Sequence, residues 1–152
     1  MRVIKRSGRV EDVKFDKVTN RISKLMNDPC EISEGVDAAM IAQQVFSSMH
    51  EGITTQEIDT LSAEICIGMI TKDTDYEVLA TRIIASNIQK TAPNNFHIAM
   101  KKLNKAGIIT DEVVEIAARV KDKIEPKRDF AFRYFGLRTL GKSYLQRMDG
   151  KL

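Results

Sequence analysis

The sequence predicts a mainly α protein, in which four helices and a short N-terminal β-hairpin form one compact unit and further helices follow. Two β-prone runs, residues 2–6 and 9–15, flank Ser7-Gly8, the usual mark of a hairpin turn. Apolar residues then recur at three- and four-residue spacing in four successive windows up to about residue 90. Helix-start signals stand ahead of those windows, including two T-x-x-E patterns.

In the hairpin, Val10, Val13 and Phe15 are expected to face inward, with a bulge around Glu11-Asp12. Asp16 is expected to cap the first helix, whose buried stripe would be Val18, Ile22, Leu25 and Met26. That helix should stop at Asn27-Asp28-Pro29, because proline disfavours helical geometry in the residue before it. A second helix is expected over residues 36–49, with Ile41, Val45 and Met49 on one face and Gly52 ending it. The box Thr54-Thr55-Gln56-Glu57 opens the third helix, with Ile58, Leu61, Ile65 and Met69 in register. Thr74 to Glu77 repeats the pattern and opens the fourth, through Leu79, Ile83 and Ile84 to about Lys90.

Pro93 marks a boundary, giving an expected first unit at residues 1–92 and a second at 93–152. Residues 94–105 read as helix, ended by Gly107. Thr110 caps another, carrying Val113, Ala117, Val120 and Ile124 and stopped by Pro126. The aromatic run RDFAFRYFG and a helical LRTLGKSYL follow. Met148-Asp149-Gly150-Lys151 reads as a turn whose second strand is missing, so the chain ends as if cut.

Charge is unevenly spread. Residues 1–26 hold eight bases and three acids, a local +5 in a chain whose total is +3. Residues 27–92 carry −8 and residues 93–152 carry +6. A basic, acidic, basic layout argues against a continuous nucleic-acid face and suits one small anion at the N-terminal patch. No apolar run approaches a membrane span, no secretory leader is evident, and the separated Cys30 and Cys66 have no metal-ligand spacing. Cys30 and Cys66 are expected to be reduced, partly buried thiols in a cytosolic or nuclear setting.

Lys5, Arg6 and Arg9 surround the hairpin turn, and the helix start at Asp16-Lys17 offers free N–H groups and positive dipole to a phosphate. From the charge alone, a solvated basic edge strand is the better account. The stretch VIKRSGRVEDVKFDK resembles the opening of the ATP-cone, the regulatory nucleotide-binding module of ribonucleotide reductases. GITTQEIDTLSAE resembles the cone's third-helix entry, and DYEVLATRIIASNIQK its last helix. RDFAFRYFGLRTLGKSYL is similar to the stretch after the helical linker in class I large subunits of eukaryotic type.

The resemblance implies a four-helix bundle capped by a small β-sheet, and a site for ATP or dATP with Mg²⁺. It implies phosphate contacts at Lys5, Arg6, Lys17 and Lys90, and an adenine contact at Glu11. Val3, Phe15, Ile22, Val45 and Phe46 become candidates for an apolar slot around the base, and each fits plain core equally well. Thr55 and Asp59, four apart on one helical face, would approach ribose and phosphate. It further implies that ATP activates and dATP inhibits by promoting a higher oligomer, with Asp59 and the second and third helices expected to carry the coupling. Other large-subunit protomers (dimer, hexamer) and a small radical-generating subunit would be partners, DNA and membranes would not, and the setting would be cytoplasmic. The reductase barrel and its cysteines are absent from these residues, so the chain alone is expected to be inactive as a reductase.

Gly136 to Ser143 satisfies the P-loop expression G-x-x-x-x-G-K-[ST], but Leu137, Arg138, Thr139 and Leu140 favour helix over a phosphate-wrapping loop. His50 and His97 have no ligand or triad partner at useful spacing. Two alternative functions remain at this level. One is a cone-containing transcriptional repressor, which needs paired CxxC motifs this sequence lacks. The other is a P-loop nucleotide hydrolase.

Overall fold

The structure, a computed structural model, describes residues 1–93 and 95–148. Strands β1 (Arg2–Ile4) and β2 (Val10–Asp12) form the hairpin, and helices α1 (Phe15–Asn27), α2 (Ala38–Ser48), α3 (Thr55–Gly68) and α4 (Asp75–Thr91) follow. After them come α5 (Phe96–Lys105), α6 (Asp111–Val120) and α7 (Tyr134–Thr139), the last extended by a π-type turn at Leu140–Tyr144. The expected turn at residues 148–151 lies largely outside the described residues.

The hairpin register is continuous, with Val3 opposite Glu11, so no bulge forms at Glu11-Asp12. The irregularity sits in the turn. Gly8 takes φ +82° and donates to the Lys5 carbonyl at 2.8 Å, which makes a three-residue loop where two residues were expected. Because successive strand residues alternate faces, Val3 and Glu11 point to the bundle while Val10 turns out to solvent, against expectation. The other edge of β1 is also occupied. Ile4 donates to the Ile53 carbonyl, and Gly52, at φ +80°, donates to that of Arg2. This pairing ties the hairpin to the chain just before α3.

Val18, Ile22 and Leu25 on α1 pack with Ile41 and Val45 on α2 as the spacing predicts. Asp16 lies in the first turn of α1 and Lys14 takes the cap position, so Asp16 contributes through the helix dipole and makes no capping bond. Asp37, not singled out from the sequence, caps α2 by accepting from Ala39 and Met40. The Thr54–Glu57 capping box is present on α3. Its expected twin at Thr74 is not: Asp73 accepts from the Asp75 amide at 2.8 Å, and Glu77 is drawn away by Arg133.

The buried stripe of α3 keeps Ile58, with Met69 buried just past the helix end, but between them it is rotated from the one expected. Asp59, Ser62, Ala63 and Cys66 are buried, whereas Leu61 and Ile65 are only partly covered. Small side chains let α3 lie close against Ala80, Ile83 and Ile84 of α4. Burial pushes the Cys66 thiol up to about 12, so it is inert, and Cys30 is exposed.

The residues beyond Pro93 do not all stand apart. Phe130, Tyr134 and Leu137 join the main core. Arg133 donates through Nε to Glu77 at 3.1 Å, and Gln89 donates to Asp129 at 2.7 Å. The α5–α6 pair carries a more exposed apolar face, and Val113 and Ile124 are solvent-facing despite their regular spacing.

Candidate functional site

The hairpin, the first half of α1, the first two turns of α3, and α4 enclose a cavity of about 540 Å³. Seven cationic side chains and three carboxylates line it, a net of +4. Lys5, Arg6, Glu11, Lys17, Thr55, Asp59 and Lys90 are all brought to this one wall, from positions up to 85 residues apart. Its apolar floor is Val3, Val18, Ile22, Ile58 and Ile83.

The charges form two clusters. At one end Glu11 faces Lys5 and Lys17, each at 3.3 Å, and pairs with Arg9. Hydrogen bonding from Arg9, then Lys5 and Lys17, holds the Glu11 carboxyl down at about 2, so it is an acceptor at any physiological pH. At the deeper end Asp59, on α3, is almost enclosed and meets three cations from three elements. Arg6 of the hairpin lies at 3.3 Å, Arg21 of α1 at 3.3 Å and Lys90 of α4 at 3.8 Å. Arg6 also donates to Asn87 of α4, which in turn donates to the Gln56 carbonyl at 3.4 Å. Burial above all, reinforced by Arg21, Arg6 and Lys24, lowers the Lys90 ammonium to about 8 against the pull of Asp59.

Lys5 and Arg6 both reach the cavity because β1 ends at Ile4, and turn residues escape the strict alternation of a strand. Four expected residues are not among those lining it. Val45 is fully buried in the core on α2, a helix that contributes nothing to the cavity wall. Phe46 packs on Phe15 at 5.3 Å between ring centroids, fastening the start of α1 to α2. Asp16 is exposed on the outer side of that start. Arg9, Arg21 and Ser62 line the cavity and were not foreseen as site residues. For Arg21 the signal was its place one turn beyond Lys17 on the same helical face.

The G-x-x-x-x-G-K-S stretch is not a phosphate loop. It follows no strand, and residues 136–143 are wound into α7 and the π-type turn. Among the described residues no group of three or more His, Cys, Asp or Glu side chains could hold a metal ion, and no helix is long and apolar enough to cross a membrane.

A helical bundle with a basic hairpin over an apolar floor and a net positive wall forms a cavity whose chemistry suits an amphipathic polyanion. The sequence matches the ATP cone domain family over residues 1–91, and the chain belongs to that family, a nucleotide effector-binding domain. Over its whole length it is 39% identical to a ribonucleoside-diphosphate reductase large chain of Schizosaccharomyces pombe, covering 20% of that protein. It is 38% identical over its whole length to a ribonucleoside-diphosphate reductase large subunit of Variola virus, covering 21%. To the Arabidopsis thaliana large subunit the identity is 37% over 99% of the chain, covering 20% of that protein. The chain thus spans about a fifth of the length of these relatives.

Proposed function

We propose that this chain is the regulatory region of a class I ribonucleoside-diphosphate reductase large subunit of eukaryotic type, in which residues 1–92 bind ATP or dATP and residues 93–152 begin the next helical domain. The observation that carries the reading is the cavity wall, where cations from the hairpin, α1 and α4 converge over an apolar floor. A net of +4 matches a triphosphate, and the aliphatic floor matches a base. Glu11, fixed as a carboxylate, suits the adenine amino group as its donor and disfavours the carbonyl edge of guanine. Mg²⁺ would arrive on the triphosphate oxygens, since a lone Asp59 already engaged by cations makes a poor metal site.

On this reading ATP activates the whole enzyme and dATP inhibits it by favouring a higher oligomer. The two effectors differ by one hydroxyl, so a small difference at the ribose must bias an interface with two arrangements. Other large-subunit protomers and the small radical-generating subunit are the partners, and the cytoplasm is the setting.

Calorimetric titration with ATP, dATP and GTP in Mg²⁺ tests the reading. ATP and dATP are expected to bind and GTP to bind far more weakly. Absence of binding, or equal affinity for GTP, overturns it. The same titration carries a pH signature. A phosphate beside Lys90 stabilises its ammonium and raises a pKa that stands at about 8 in the free protein, so binding takes up a proton. Affinity is full below that value and falls as pH rises through it, by about fivefold between pH 7.5 and pH 9.

A further inference from the structure

We propose that Arg21 is a phosphate ligand of this cavity, held ready by Asp59 and Ser86, and that it makes the site sensitive to the number of phosphates. The proposal rests on the nucleotide reading above and assigns a role to a residue that the resemblance to the cone did not mark.

The side chain of Arg21 has one firm contact and two loose ones. Its Nη2 donates to Ser86 Oγ at 2.9 Å, while Nε and Nη2 stand 3.3 and 3.5 Å from the Asp59 oxygens. Charge-assisted bonds between guanidinium and carboxylate usually close to about 2.7–2.9 Å. Asp59 cannot close on Arg21 because Arg6 and Lys90 share the same carboxylate. One nearly enclosed negative charge therefore serves three part-exposed positive ones, an excess of two. A planar guanidinium that is anchored by a hydroxyl and only loosely paired is well suited to take a phosphate oxygen in the fork of its donors.

Depth supplies the phosphate dependence. Of the cations around Glu11, Arg9 and Lys17 are open, at 74% and 58% exposed, whereas Arg21 beside Asp59 is the most covered of the six, at 24%. With the base held at Glu11, a single phosphate is served by the hairpin and the start of α1. Only a longer chain reaches past them to Arg6, Arg21 and Lys90, which gather on the buried Asp59 carboxylate. Ser86 keeps Arg21 aimed there when the phosphates draw it off Asp59.

The test compares ATP with AMP for the wild-type chain, Arg21→Gln and Arg21→Lys, with thermal melts of the free proteins alongside. Arg21→Gln is expected to weaken ATP by about twentyfold and AMP by less than about twofold. Arg21→Lys keeps the charge without the fork and should recover part of the ATP affinity. An equal proportional loss for ATP and AMP would show Arg21 to be a brace for Asp59 and overturn the proposal, as would unchanged ATP affinity in Arg21→Gln. If Arg21→Gln fails to fold, Arg21→Lys decides alone, since a ligand role predicts a lowered ratio of ATP to AMP affinity and a brace predicts none. A wild-type chain that binds neither nucleotide would sink the nucleotide reading itself, a result distinct from either of these.

Discussion

Asp59→Asn is expected to destabilise the nucleotide-free protein by about 2 kcal/mol and, at the same time, to enlarge the thermal shift produced by a polyphosphate. Asp59 is the one carboxylate that Arg6, Arg21 and Lys90 share. Asparagine has nearly the same shape but no charge, so the three cations would face each other without a counter-ion. Each keeps some contact with solvent, which moderates the penalty below that of a fully buried broken pair. Pyrophosphate or ATP then supplies the missing negative charge. Melting should fall by about 6 °C without ligand, and the rise on adding millimolar pyrophosphate should exceed that of the wild type. A variant as stable as the wild type, with no larger ligand shift, would show that Asp59 does not organise the cations.

Arg82→Met is expected to cost about 3 kcal/mol, the largest loss from any single polar side chain in the fold. Arg82 is buried on α4 and reaches beneath the end of α1. Its Nη1 donates to the carbonyls of Leu25 at 2.9 Å, Met26 at 3.0 Å and Cys30 at 2.7 Å. Two of these are last-turn carbonyls of α1 that have no helical partner, and the charge complements the negative end of the helix. Methionine roughly keeps the volume and takes the donor from the Leu25 and Cys30 carbonyls, while the Met26 carbonyl keeps the Ile32 amide at 3.1 Å. A melting temperature lowered by about 9 °C is expected, and a fall of under about 3 °C would mean that packing, not the hydrogen bonds, matters at this position.

Both residues show what was readable in the chain. Asp59 stood out through the resemblance to the cone, to which its spacing from Thr55 added a shared helical face, and the structure brings that face to the same cavity as Lys5, Arg6, Glu11, Lys17 and Lys90. Charged residues at helix starts and turns are legible because their placement is local. Arg82 was not, because an arginine in the apolar stretch LATRIIA could be pointed anywhere until α1 was docked beside it. That Val45, Phe46 and Phe15 do not line the cavity was not legible for a related reason. An apolar side chain at helical spacing is equally at home in a core or beside a ligand, and only the packing of α2 decides between them. The stripe on α3 rotated because close approach to α4 favours Ser62, Ala63 and Cys66 over the larger Leu61 and Ile65. That Tyr134 and Leu137 pack against the core of the first four helices was not legible, since they are too far along the chain for any local pattern to show it.

The central claim is that the cavity under the hairpin, and not the GLRTLGKS stretch, receives the nucleotide. Titrating ATP into Lys5→Ala and Lys142→Ala separates the two sites. Lys5 lies in the cavity wall and Lys142 lies on the π-type turn beyond α7. Affinity is expected to fall about tenfold or more in Lys5→Ala and to stay within about twofold of the wild type in Lys142→Ala. The reverse pattern, binding lost with Lys142 and kept without Lys5, would contradict the account.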